Sequence, residues 1–193
     1  MLSNSNDRPD VADRILAAAA SCVRDFGIDR VTLAEIARRA RVSRPTVYRR
    51  WPDTQAILAA LLTRRITEVA AEVPRTGTDR AAIVARIVEV GQRLGRDDLL
   101  MAVMHSAPEF AMIYITERLG TSQQWLIDVL AADLKTAQSG GSVRAGDPRQ
   151  LATMVLLITQ STIQSAQIVE PILTADALAV ELAHVLNGYL SNG

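Results

Sequence analysis

Residues 31–51 read VTLAEIARRARVSRPTVYRRW. Between Arg30 and Arg50 the chain places seven arginines against a single acid, Glu35. The residues around that charge spell two short helices with a tight turn between them. Thr32 and Glu35 stand at the positions of a capping box, with Val31 and Ile36 as its hydrophobic staple. Leu33, Ile36, Ala37 and Ala40 make one apolar face, and Arg38 and Arg39 are expected to point away from it. After Arg41, Ser43 caps a shorter helix, with Val42 and Val47 as a second staple.

On a helical wheel Val47 and Trp51 lie four apart and share the buried face of this short helix. The opposite face carries Pro45, Thr46 and Arg49, flanked by Tyr48 and Arg50. These groups suit a DNA major groove: an arginine can bond guanine with two donors, and an apolar edge can touch a thymine methyl. Flanking Tyr and Arg side chains, and backbone N–H groups at helix starts, suit phosphates. The residues expected at DNA are therefore Thr32, Arg41, Ser43, Arg44, Pro45, Thr46, Tyr48, Arg49 and Arg50. A merely solvated basic face is the alternative. The coincidence of the charge with two capped helices favours DNA.

Working outward, a preceding helix is expected from about Pro9 to Phe26, with Val11, Ile15, Ala18, Cys22 and Phe26 on its apolar face and Gly27 ending it. A long fourth helix is expected after Pro52, reaching about Val73. PRTGTD (74–79) is the clearest boundary in the chain. Helical stretches follow at about 79–95, 98–106 and 108–137. SGGSVRAGDP (139–148) is a second connector, before helices at about 148–169 and 174–190. No strand-like alternation is visible, so the fold class is all-α with about nine helices.

The first helix, VTLAEIARRA and VSRPTVYRRW, followed by ILAALL, together resemble the DNA-binding domain of the tetracycline-repressor-like (TetR) regulators over residues 11–58. The order and spacing of cap, turn and aromatic positions carry the resemblance, which covers about a quarter of the chain. Two positions depart from it. The family usually has Gly in the turn where this chain has Arg41, and a side chain there costs about 1 kcal/mol if the turn needs a positive φ. The family also tends to place a Lys near the start of the fourth helix, where this chain has Thr54.

The resemblance implies a helix-turn-helix domain at 9–52, a connecting helix at 53–73, and a helical domain at 74–193 that dimerises and binds a small molecule. The residues lend some support. Leu178, Leu182 and Leu186 line up on the last helix and are the expected dimer interface, while 151–169 is apolar nearly all round and must be buried on most sides. Closing a monomeric core is the simpler use of such helices. Met101, Met104, His105, Phe110, Tyr114 and Trp125 crowd the middle of the chain and are the expected ligand-binding residues, methionine being adaptable to apolar ligands. The plainer reading of the same cluster is ordinary core. Gln160, Gln164 and Gln167 form a polar stripe that suits either a ligand or a dimer partner.

The bulk numbers exclude other classes. With 193 residues, 49% hydrophobic content and zero formal net charge, the chain is globular and nothing global recruits nucleic acid or membrane. Cys22 is the only cysteine, so no intramolecular disulfide or multi-thiolate metal site is available. Two histidines, at 105 and 184, stand too far apart in sequence for a metal motif, and no nucleophile has a catalytic context, so no catalytic residue, metal or cofactor is expected. MLSNSNDRPD has no apolar signal core, and glutamines interrupt the one long apolar stretch, so a cytoplasmic location without a membrane partner is expected. The function expected is a homodimeric, ligand-responsive regulator, most simply a repressor, whose partners are a palindrome-like double-stranded DNA operator and a small, largely apolar effector. A constitutive or architectural DNA-binding protein is the alternative, and a helical enzyme or carrier a more distant one.

Overall fold

The computed structural model describes residues 10–106 and 120–192, with the side chains of 104–106 outside that description. Among the described residues the chain is all-α. It comprises α1 (Val11–Phe26), a 3-10 turn (Ile28–Arg30), α2 (Leu33–Ala40), α3 (Arg44–Tyr48), α4 (Thr54–Glu72), α5 (Arg80–Gly95), α6 (Asp98–Ser106), α7 (Thr121–Ser139), α8 (Pro148–Val169) and α9 (Ala175–Leu190). Of the helix expected from 108 to 137, the part up to 119 lies outside the described residues, and α7 begins after Gly120, its extended N-cap. The Gln123 side chain accepts from the Gly120 N–H at 2.8 Å and so satisfies one of the donors a helix start leaves over.

The chain forms two compact units. One contains residues 10–64 and 98–106 of those described, the other 65–97 and 120–192, so α4 contributes to both. This differs from the expected domains of 9–52, 53–73 and 74–193 in one informative way. Leu99 and Val103 of α6, far downstream of the helix-turn-helix, join its core. Hydrophobic periodicity marks them as buried but carries no record of which unit buries them.

The first unit is built on Ile15, Ala19 and Cys22 from α1, Ile36 from α2, Val47 from α3, and Ile57, Leu61 and Leu62 from α4. The starts of α2, α3 and α4 are each closed by a short polar side chain. Thr32 Oγ1 accepts from the Glu35 N–H at 3.2 Å, Ser43 Oγ from the Thr46 N–H at 3.3 Å, and Asp53 Oδ1 from the Ala56 N–H at 2.7 Å. Such caps typically stabilise by about 1 kcal/mol each. Burial pushes the Cys22 thiol pKa up, which keeps it an inert core residue.

The second unit packs α5, α7, α8 and α9 around Val84, Ile127, Leu134, Val155, Leu182, Leu186 and Leu190. Arg86 donates to the Ala70 and Val73 carbonyls at 2.7 and 3.2 Å, capping the C-terminal end of α4 without a glycine. At Gly91 α5 packs against α8, and a Cβ there would stand in ordinary van der Waals contact, 3.5 Å from Ile163 Cδ1 and 3.6 Å from Thr159 Cγ2, so the approach does not depend on the glycine. The leucine row expected at a dimer interface is mostly inside this unit. Leu182 and Leu186 are 6% and 0% exposed in the single chain, and Leu178 is half-buried. A row of leucines marks the wettest-averse face of a helix, and α9 spends it on its own protomer. The stretch 151–169, by contrast, is not buried on most sides: Met154, Leu157, Ser161, Gln164 and Ile168 are exposed at three- and four-residue spacing along one face of α8.

Candidate nucleic-acid interface

Helix α3 is only five residues long, so its position depends on what flanks it. Val47 is fully buried and Trp51 packs against the same core. The Arg49, Arg50 and Trp51 amides bond back to Pro45 and Val47 carbonyls at 2.9–3.0 Å, which carries the helical turn past Tyr48. Pro45 near the helix start supplies a preset φ where an N–H would have no partner. With Val47 and Trp51 inward, the side chains of Arg44, Pro45, Tyr48, Arg49 and Arg50 are all exposed, Tyr48 by 54%. Arg41 and Ser43 are exposed beside them, as is Thr32 at the start of α2.

Thr46 differs from the rest. It is half-buried, and its hydroxyl shares a 2.7 Å hydrogen bond with the Ser43 hydroxyl. Both hydroxyls are thus occupied with starting α3, and the free outward groups are the arginines, the proline ring and the phenol. Arg50 lies at the edge, 3.8 Å from the Asp10 carboxylate at the N-cap of α1.

The arginines of α2 have other work. Arg39 is folded back onto α1: it donates to Ser21 Oγ at 2.7 Å and Glu35 Oε1 at 3.0 Å, ion-pairs with Asp25, and covers the Phe26 ring. Phe26 itself is 43% exposed rather than buried. Arg38 grips Glu35 with two hydrogen bonds, 2.8 and 2.6 Å long. The Glu35 carboxylate, which a full capping box would return to the Thr32 amide, is engaged by these arginines. Bonds from Arg38 and then Arg39 pull its pKa down to about 2. A wheel counts Arg39 as outward because it cannot see that a long side chain lies along a neighbouring helix.

The turn between α2 and α3 does need a positive φ. Arg41 sits at φ 54, ψ 48, the left-handed conformation. Arg14 of α1 donates to the Ala40 and Arg41 carbonyls at the end of α2. No local signal marks Arg14 for this role, since its partners lie 26 and 27 residues downstream.

Of the residues expected at a ligand, Met101 is half-buried in the first unit and Trp125 is 36% exposed in the second. Phe110 and Tyr114, and the side chains of Met104 and His105, lie outside the described residues. The second unit holds a polar contact that sequence reading missed. Gln123, 7% exposed, donates to Gln160 Oε1 at 2.9 Å across α7 and α8, next to buried Ser122 and Thr159. Gln160 of the glutamine stripe therefore faces α7, while Gln164 and Gln167 are exposed. Among the described residues no group of three or more His, Cys, Asp or Glu side chains could hold a metal, and no helix is long and apolar enough to cross a membrane.

Residues 15–61 match the family of bacterial regulatory proteins called the tetR family. The chain is 68% identical over 190 residues to the HTH-type transcriptional regulator Rv2250c of Mycobacterium tuberculosis H37Rv, covering 98% of this chain and 100% of that one. Its fold resembles that of the Rhodococcus erythropolis transcriptional repressor QsdR, with a TM-score of 0.71, 17% identity, and 96% and 99% of the two chains covered. It also resembles Thermus thermophilus FadR, a TetR-family repressor solved with lauroyl-CoA, with a TM-score of 0.67, 19% identity, and 91% and 92% covered.

Proposed function

The chain belongs to the tetR family of HTH-type transcriptional regulators, and we propose that within it the protein is a homodimeric repressor released from its operator by a small, largely apolar effector. The observation that carries the DNA half of this reading is the exposed set of Arg44, Pro45, Tyr48 and Arg49 on a helix anchored by buried Val47. Arg49 reads a guanine, Pro45 offers an apolar edge to a thymine methyl, and Tyr48, Arg44 and Arg50 hold phosphates. Thr32 and Ser43 offer their backbone N–H groups at helix starts, and Arg41 its charge.

A single α3 reads few base pairs, so two half-sites one helical turn apart are needed for useful affinity. The surface that pairs two copies is the outer face of α8 and α9, where Met154, Leu157, Val180 and Val185 are 43%, 49%, 67% and 48% exposed. These residues take the role first assigned to Leu178, Leu182 and Leu186. An apolar surface left uncovered on two neighbouring helices is costly for a lone protomer and favours association.

The effector reading rests on two supports. T. thermophilus FadR, similar in fold, was solved with an acyl-CoA, and Met101 and Trp125, with Met104, His105, Phe110 and Tyr114, are side chains suited to an apolar ligand. Effector binding acts through α4, which belongs to both units, and shifts the dimer away from the separation of recognition helices that fits successive major grooves. The protein works in the cytoplasm, on DNA, without catalysis. Genomic footprinting of the purified protein, paired with a reporter driven by the recovered sites, tests this. Recovered palindromes whose reporters rise when the gene is deleted support a repressor. Reporters that fall make it an activator, and reporters that do not move leave the architectural alternative.

A further inference from the structure

Arg41 is the one non-glycine residue, among those described, held at a positive φ. A side chain persists in that conformation only where its surroundings over-determine it. Here the Arg41 N–H donates to the Arg38 carbonyl at 3.2 Å, and the Val42 N–H to the Ala37 carbonyl at 3.0 Å. Those bonds come from the helix that is ending. The third restraint comes from another element: Arg14 of α1 donates Nη2 to the Ala40 carbonyl at 2.6 Å and to the Arg41 carbonyl at 3.1 Å.

These carbonyls belong to the end of α2, where a helix leaves acceptors without internal partners. A guanidinium there also meets the negative end of the helix dipole. The bonds are charge-assisted, so they hold more firmly than neutral ones. Val42 follows at once, and then Ser43, the cap of α3. The peptide planes that Arg14 grips therefore lie in the turn itself, with only Val42 between Arg41 and the cap of α3.

We propose that Arg14 is a positioning residue for DNA recognition, whose guanidinium clasps the Ala40 and Arg41 carbonyls and holds Arg41 left-handed. The clasp fixes the angle at which α3 leaves α2, and so aims Arg49 and Tyr48. It acts through the turn and needs no contact with DNA. In this turn a glycine would adopt the same backbone without strain, so Arg14 and Arg41 should be energetically coupled.

The test is a double-mutant cycle in the full chain with Arg14→Ala, Arg41→Gly and the pair together, plus Arg14→Lys. The probes are a duplex enriched from a random library by the wild-type protein and a random duplex of equal length. Arg14→Ala should lose about tenfold on the enriched duplex and little on the random one, with the salt slope unchanged. Amide exchange at Arg41 and Val42 should rise selectively. In the Arg41→Gly background the same Arg14→Ala change should cost much less, and Arg14→Lys should recover part of the loss.

Equal loss on both duplexes with a salt slope reduced by about one would make Arg14 a phosphate contact and overturn the proposal. So would an Arg14→Ala effect that is the same with Gly at position 41. If Arg14→Ala does not fold, Arg14→Lys and its amide exchange carry the test: unchanged exchange at Arg41 and Val42 with lost binding also overturns it. The proposal rests on DNA reading by α3. Failure of the wild-type chain to enrich any duplex removes both, whereas enrichment that Arg14→Ala leaves intact removes the clasp alone.

Discussion

The guanidinium carbon of Arg39 stands 4.6 Å from the centre of the Phe26 ring. Arg39 therefore joins the end of α1 to α2, with Ser21, Asp25 and Glu35 taking up its donors. A cation over an aromatic face is attracted to the ring electrons while the stem of the arginine covers apolar surface. Its neighbour Arg38 has a side chain 71% exposed, against 20% for Arg39.

Arg39→Ala should lower the thermal midpoint clearly more than Arg38→Ala, although both remove one charge from the same basic stretch. Circular-dichroism melts of the two variants check this. Equal shifts would mean that the Phe26, Ser21 and Asp25 contacts contribute nothing beyond the shared pairing with Glu35.

Stability should also depend on acid through Glu35. Its folded pKa of about 2 lies below the ordinary 4.5 because Arg38 and Arg39 bond the carboxylate. A depressed carboxylate contributes stability that is fully present above the unfolded pKa and is lost as pH falls through the folded one. The contribution should accordingly fade between about pH 4.5 and pH 2. Urea midpoints of wild type and Glu35→Gln should converge across that window and differ above it. Asp25, held low by its bond to Arg39, acts in the same direction.

On DNA, Arg49→Ala should remove about 1–3 kcal/mol of discrimination at one base pair, whereas Tyr48→Phe should weaken binding evenly across sequences. Binding to a set of single-base operator variants separates the two. Equal loss on all sequences for Arg49→Ala would take Arg49 out of the base-reading role.

Assembly gives a contrast within one helix. Val180→Glu, at a position 67% exposed in the protomer, should leave a folded monomer with weak operator binding. Leu182→Glu, only two residues on and 6% exposed, should instead unfold the second unit by burying an unpaired charge. Sedimentation with a parallel melt distinguishes these outcomes, and a Val180→Glu dimer with full operator affinity would place the interface elsewhere.

For the switch, a small, largely apolar compound that binds should raise the thermal midpoint by mass action and weaken the operator complex, and operator DNA must weaken that compound by the same factor. A compound that stabilises the protein but leaves operator affinity unchanged is not the effector.

Much of this protein was legible along the chain. Caps at Thr32 and Ser43, staples at Val31 and Val42, and the inward pair Val47 and Trp51 are local features: the side chains that make them lie within a few residues of one another. That is why the helix-turn-helix, the outward Arg44, Arg49 and Arg50 and the all-α class could be read from spacing alone. Tertiary structure decided everything that depends on partners distant in sequence. It set Arg39 on Phe26 and Arg14 on the Arg41 turn, brought Leu99 and Val103 of α6 into the first core, and paired Gln123 with Gln160. It also turned Leu182 and Leu186 inward and left Val180 and Val185 exposed. Periodicity tells that a helix has an apolar face. Which surface that face meets, in the same chain or in another, is settled only when the helices pack, because burial is a property of what surrounds a side chain.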